Sequence, residues 1–222
     1  AWAQSSGLPE SASSGTAPVL TGTEFDLVIA ESVVNFTGTP RVATTINGML
    51  PGPTLRWRQG DTVTIRVTNR LREHTSIHWH GIILPFQMDG VPGISFAGIA
   101  PGETFTYQFK VEQTGSYWYH SHSGFQEMTG VYGGIVIDPA TGVDGVRADR
   151  DYTILLSDWT DEDPMRVLSK LKVQSDYYNY IKPTVFDFFR DVSNDGVKSA
   201  FDKRKMWNEM RMNPTDLADL SG

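Results

Sequence analysis

Ser76-Ile77-His78-Trp79-His80-Gly81 and Tyr119-His120-Ser121-His122-Ser123 are the two stretches on which the reading of this chain turns. Together they hold four of its five histidines. Each His-x-His pair lies in a run with strand character. Thr75-Ser76-Ile77 leads into the first pair, and Ser116-Tyr117-Trp118-Tyr119 into the second. Successive side chains on a strand point to opposite faces. His78 and His80 therefore share one face, opposite Ile77 and Trp79. His120, His122 and Trp118 share another, opposite Tyr117 and Tyr119. If the two strands are neighbours, four imidazoles converge.

Neutral imidazole is the commonest metal ligand, and an all-nitrogen site suits copper, zinc, iron or nickel. Two pairs that use up nearly all the histidine in the chain point to a metal. The alternative is two amphipathic strands whose histidines only face water. The sequence contains no cysteine, so disulfides and thiolate ligands are excluded. Met206, Met210 and Met212 lie close together, and thioether sulfur can hold Cu(I). Methionines on an amphipathic helix more often fill a core, and we do not place these among the ligands.

The 222 residues suffice for one large domain, or one domain and part of another. Hydrophobic residues make up 39%, with 21 glycines and 12 prolines, which suits a turn-rich β protein. A net charge of −7 without a basic cluster argues against a nucleic-acid partner. No apolar run approaches the length of a membrane span. Ala1-Trp2-Ala3-Gln4 has the small-x-small pattern that precedes a signal-peptidase cut, a weak pointer to export.

Residues 1–19, rich in Ser, Gly, Ala and Pro, read as a flexible tail. From there to residue 138 the chain alternates. Phe25, Leu27 and Ile29 mark one strand, and Val42 to Ile46 a second that ends at the turn signal Asn47-Gly48. Val63, Ile65 and Val67 line the core face of a third, and Phe105, Tyr107, Phe109 and Val111 that of a fourth. Gly133 to Asp138 is a short apolar strand closed by Pro139. Many short strands at this spacing imply an antiparallel sandwich or barrel. Residues 139–150 read as a linker, and Tyr152 to Trp159 as a buried strand. Helical patterns follow: one opened by Asp163-Pro164 with Met165, Leu168 and Leu171, then Thr184 to Val192, then Gly196 to Met212. One strand with several helices makes no complete domain, and residues 151–222 are expected to be the truncated start of a second one.

The order His78-Trp79-His80-Gly81, Met88-Asp89-Gly90-Val91-Pro92, Pro101-Gly102-Glu103 and Gly115-Ser116-Tyr117-Trp118-Tyr119-His120-Ser121-His122 closely resembles the first domain of multicopper oxidases. Ile83 to Gly90 and Met212 to Asp219 look most like the bacterial copper-resistance oxidases of the CopA/PcoA type. The resemblance covers about residues 20 to 222. It implies an all-β fold: a Greek-key cupredoxin β-sandwich over 20–138, then a second cupredoxin-like domain with a helical insertion over 151–222. It implies copper as cofactor, with His78 on the type 2 copper and His80, His120 and His122 on the type 3 pair. It also implies that Asp89 helps protons reach the cluster, whereas on sequence grounds alone Asp89-Gly90 reads equally well as a turn.

The departures from the family pattern matter as much. The type 1 copper, which takes electrons from substrate, needs a cysteine, and the remaining cluster ligands lie in a C-terminal domain. Neither is in this sequence, which has no cysteine and no further His-x-His. Two main expectations follow. One is the N-terminal part of a periplasmic multicopper oxidase that couples oxidation of Cu(I) or phenolic substrates to reduction of dioxygen to water, in copper tolerance. Its missing C-terminal cupredoxin domain would be supplied in cis or in trans. The other is a truncated copper-binding module without turnover. A metal-free sandwich used for protein contacts is a third.

Overall fold

The computed structural model describes residues 12, 17–141, 149–175, 177–178 and 184–209. Most of the tail, residues 142–148 of the expected linker, and Met210 and Met212 lie outside the described residues. The chain divides into two compact units, Ala1–Pro164 and Met165–Gly222.

Among the described residues the first unit is built on nine strands: β1 (Val19–Thr21), β2 (Glu24–Val34), β3 (Arg41–Ile46), β4 (Thr54–Arg58), β5 (Thr62–Asn69), β6 (His78–His80), β7 (Thr104–Lys110), β8 (Gly115–His120) and β9 (Tyr132–Asp138). They form two sheets, ordered β1-β4-β9-β8-β6 and β3-β2-β5-β7. The sandwich expected from the alternating pattern is the one observed. The sheets are mixed rather than antiparallel throughout: β1 with β4, β2 with β5 and β4 with β9 run parallel. Consecutive strands repeatedly change sheets, so a strand that returns after such an excursion can lie parallel to its new neighbour.

The alternation in the sequence becomes the core. Val63, Ile65 and Val67 pair across the sheet with Phe109, Tyr107 and Phe105. Phe25, Leu27 and Ile29 of β2 are buried beside them. The facing sheet contributes Leu55, Trp57, Ile77, Trp79, Tyr119, Ile135 and Ile137. Trp79 sits at the centre of the aromatic packing, with its ring centroid 5.2 Å from Tyr107, 5.8 Å from Trp57 and from Phe109, and 5.9 Å from Tyr119. Aromatic pairs at this range add stabilisation beyond the area they bury.

The strand expected over Tyr152 to Trp159 does not form. Ile154 is 80% exposed and Leu156 89%, and no described strand pairs with the segment. An apolar run becomes a strand only where a neighbouring edge takes its backbone N–H and C=O groups.

Among the described residues the second unit is helical. The helix α2 (Pro164–Val173) begins at the proline expected at its first position. A longer helical segment spans Val185–Glu209 and is broken at Gly196, whose φ of 82° and ψ of 161° suit glycine alone. Two helices were expected here with a boundary at that glycine. Thr184 and Asp187 cap the first reciprocally: Thr184 N–H donates to Asp187 Oδ2 at 2.9 Å, and Asp187 N–H to Thr184 Oγ1 at 3.1 Å. Across the break Phe188 meets Phe201, with centroids 5.3 Å apart, and Arg204 bonds Asp191 at 2.7 Å. No helix among the described residues is long and apolar enough to cross a membrane.

Trp79→Ala should cost about 3–5 kcal/mol in a urea titration, because the cavity lies where both sheets meet. Val42→Ala, on an exposed position of β3, should change stability by less than about 0.5 kcal/mol.

Candidate metal centre

β6 and β8 are antiparallel neighbours at one end of the five-stranded sheet. The register sets His78 opposite His120, Trp79 opposite Tyr119, and His80 opposite Trp118. Trp79 and Tyr119 point into the core and are fully buried. Their neighbours must then point the other way, which brings the histidines together. One ligand nitrogen each from His78, His80 and His120 falls within 4.8 Å of the others. His122 lies just beyond the end of β8, with its ring centroid 4.8 Å from that of His78 and 5.0 Å from that of His120. Trp118 stacks on His120 at 4.0 Å and on His80 at 5.0 Å, on the face that the alternation assigns it.

The orientation of each ring follows from its hydrogen bonds. Nδ1 of His78 lies 2.7 Å from the carbonyl oxygen of Asp89, which can only accept. That nitrogen therefore carries the proton, and Nε2 is left as the donor to a metal. His120 behaves alike, with Nδ1 lying 3.1 Å from Ser121 C=O and 2.7 Å from Glu127 Oε2. Its Nε2 faces Nδ1 of His80 at 3.2 Å. Two nitrogens bound about 2.0 Å from one tetrahedral ion are about 3.3 Å apart. The His80–His120 edge thus has the length needed to share an ion, and the all-imidazole donor set suits copper.

Asp89 closes a short 3-10 turn (Phe86–Met88), its N–H donating to Phe86 C=O at 3.1 Å. Gly90 is buried at a φ of 76°, and a Cβ there would lie 1.8 Å from Ile77 O. Only glycine lets this loop press against β6 and bring Asp89 to His78. The Asp89 carboxylate is 3.4 Å from His78 Nδ1, so the main-chain carbonyl is the closer partner.

A second group of residues, not anticipated from the sequence, fixes the loops. The short helix α1 (Gln126–Thr129) places Gln126 under both histidine segments. Thr75 Oγ1 and Ser121 Oγ donate to Gln126 Oε1 at 2.6 and 3.0 Å. Gln126 Nε2 donates to His74 C=O at 2.8 Å and to Glu73 Oε1 at 3.1 Å. The four positions of this buried amide are all satisfied. Ser76 Oγ accepts from His122 N–H at 3.0 Å and bonds Ser123 Oγ at 2.9 Å. Neither Gln126 nor Glu127 belongs to a ligand pattern, and their sequence position, a polar pair a few residues after a His-x-His, is the one signal they carry.

Burial holds the imidazole of His120 below the ordinary histidine pKa, with the Glu127 charge opposing the shift. Burial also lowers His122, and the neighbouring His78 adds to that shift. Both rings stay neutral, and so able to bind metal, to a lower pH than in an unfolded chain. Unfolded, they take up protons near pH 6.5. Below that value the unfolded state binds more protons, so metal-free protein should lose stability as pH falls from about 7 toward 5. His122→Gln should make that slope shallower in a series of urea midpoints. Gln126→Ala should cost about 1–3 kcal/mol with an unchanged urea slope, since it strands Thr75, Ser121 and the His74 carbonyl.

The multicopper oxidase family profile matches residues 28–142, just over half of the chain. Copper resistance protein A of Escherichia coli is 63% identical over 203 residues, which are 91% of this chain and 33% of that protein. Copper resistance protein A of Pseudomonas syringae pv. tomato is 62% identical over 204 residues, 92% of this chain and 33% of that protein. Among solved structures, the L499M mutant of the laccase from B. aclada matches with a TM-score of 0.62 at 37% identity, over 72% of this chain and 30% of that one. A multi-copper oxidase from Pseudomonas thermotolerans matches with a TM-score of 0.52 at 39% identity, over 56% of this chain and 31% of that one. The chain spans about a third of the length of the curated relatives it matches. Enzymes of this family use copper and are built from cupredoxin sandwiches, in agreement with the two sheets and the histidine cluster. The chain belongs to the multicopper oxidase family.

Proposed function

We propose that this chain supplies one side of a trinuclear copper cluster in a periplasmic oxidase that serves copper tolerance. The observation that carries the reading is the His80 Nδ1 to His120 Nε2 distance of 3.2 Å, inside a cluster built only of imidazoles. The copper-resistance relatives support the biological setting. His78 would hold the type 2 copper, and His80, His120 and His122 the type 3 pair. When bound, copper would supply one-electron chemistry, taking four electrons from Cu(I) or phenolic substrates and passing them to dioxygen, which with four protons gives two waters. In this reading residues 20–138 form the first cupredoxin domain, 139–150 a linker, and 151–222 part of a second cupredoxin-like domain with a helical insertion. The other cluster ligands and the type 1 cysteine come from outside these 222 residues, in cis or in trans.

The chain's own groups have separable tasks. Asp89 C=O and Glu127 hold the Nδ1–H groups of His78 and His120, so that each Nε2 lone pair is free. Ile77, Trp79 and Tyr119 close the core side of the site to water. The Asp89 carboxylate, partly exposed and 3.4 Å from His78 Nδ1, would carry protons toward the cluster. A second reading, a copper-binding module without turnover, rests on the same histidine cluster and needs no type 1 copper.

Copper retained after dialysis tests the site that both readings share, and oxygen uptake on a phenol or Cu(I), measured with the remaining ligand domain present, decides between them. We expect retention by the wild-type chain. His120→Ala should weaken binding by more than the about 10–100-fold typical of losing only a ligand's hydrogen-bond partner. Retention without oxygen uptake supports the second reading. No retained copper overturns both.

A further inference from the structure

Glu127 is exposed, belongs to no ligand motif, and yet touches the most enclosed histidine of the cluster. Its Oε2 lies 2.7 Å from Nδ1 of His120. The His120 side chain is 6% exposed, whereas that of Glu127 is 49% exposed. The ring is shut off from solvent on its Trp118 face, which stacks at 4.0 Å with an interplanar angle of 14°. Trp118 therefore restricts tilting of the ring, but stacking alone does not distinguish its two nitrogens. That choice falls to whatever meets Nδ1. Two acceptors do so: the Ser121 carbonyl at 3.1 Å and the Glu127 carboxylate at 2.7 Å. The carboxylate is nearer and charged, and charge-assisted hydrogen bonds are about twice as strong as neutral ones.

The position of Glu127 is itself fixed. It follows Gln126, whose buried amide is pinned at all four hydrogen-bonding positions by Thr75, Ser121, His74 and Glu73. The carboxylate therefore stands on an anchored turn. On the other side of the ring, Nε2 is directed at His80 Nδ1, 3.2 Å away.

We propose that Glu127 is a positioning residue of the metal centre: it accepts the Nδ1–H of His120, fixes Nε2 toward His80, and strengthens Nε2 as a donor to copper. A carboxylate that draws on the Nδ1 proton gives the ring part of the character of imidazolate, and the opposite nitrogen becomes the more basic ligand. This rests on the copper reading above.

Two readouts on the full chain test it, with E127Q and E127A compared with wild type. E127Q keeps the shape and an acceptor oxygen but lacks the charge; E127A lacks both. The first readout is the nitrogen-15 and proton resonances of the His120 Nδ1–H group in metal-free protein. Both variants should shift them toward the values of a neutral acceptor, Ser121 C=O being the acceptor left in E127A, while the His78 resonances stay in place. The second is copper affinity by competition with a chelator. Both variants should bind about 10–100-fold more weakly than wild type, with an altered Cu(II) electron paramagnetic resonance spectrum. His120 resonances that coincide in all three proteins, or affinities within about twofold of wild type, would overturn the proposal. If wild-type protein takes up no copper, the copper reading fails and the donor role of Glu127 fails with it. If wild type takes up copper and the variants match it, only the Glu127 proposal fails.

Discussion

The pairing of β6 with β8 is the constraint on which the rest of the site depends. Six residues in register decide it: His78 with His120, Trp79 with Tyr119, His80 with Trp118. Side chains alternate across a sheet, so a slip of β6 by one residue would carry Trp79 out to solvent and turn His78 and His80 toward the core, and a slip of β8 would do the same to Tyr119 and His120. The burial of these two large aromatic side chains, Trp79 packed against Tyr107, Trp57 and Phe109 and Tyr119 against Trp79, makes that slip prohibitively costly. The hydrophobic core thus holds the candidate metal ligands in register from the opposite face of the sheet. The energy that fixes the geometry is spent on the opposite face of the sheet.

Register alone does not orient an imidazole. Each ring can present either nitrogen, and here the choice is made by groups outside the strands. A loop that only Gly90 can bring against Ile77 delivers the Asp89 carbonyl to His78. A single turn of helix, held by Gln126, delivers the Glu127 carboxylate to His120. The nearest partner of Nδ1 therefore differs between the two histidines, a neutral carbonyl at 2.7 Å for His78 and a carboxylate at 2.7 Å for His120. On the copper reading proposed above, that difference would give neighbouring ligands on one scaffold unequal donor strength.

The clustering of the histidines was legible in the sequence because a strand has a fixed period of two, so His-x-His needs no further information to define a face. The core strands were legible for the same reason, through Val63, Ile65 and Val67 and their partners Phe109, Tyr107 and Phe105. The parallel pairings were not, since local alternation carries no record of which strand lies beside which. Tyr152 to Trp159 shows the opposite error: its apolar pattern is strand-like, but pattern without a pairing edge leaves Ile154 and Leu156 in solvent. Gln126 and Glu127 escaped notice because hydrogen-bonding support for a ligand has no fixed spacing along the chain. The roles of the four histidines at type 2 and type 3 positions, and of Asp89, came from family resemblance, and they remain proposals beside the geometry.

The central claim is that His78, His80, His120 and His122 together hold copper. X-ray absorption at the copper edge of the loaded chain tests it most directly. The account predicts a coordination shell of nitrogen with the outer-ring scattering of several imidazoles, and loss of that scattering when His80 and His120 are replaced by alanine. A shell dominated by carboxylate oxygen, or an unchanged spectrum in the doubly substituted protein, would contradict it.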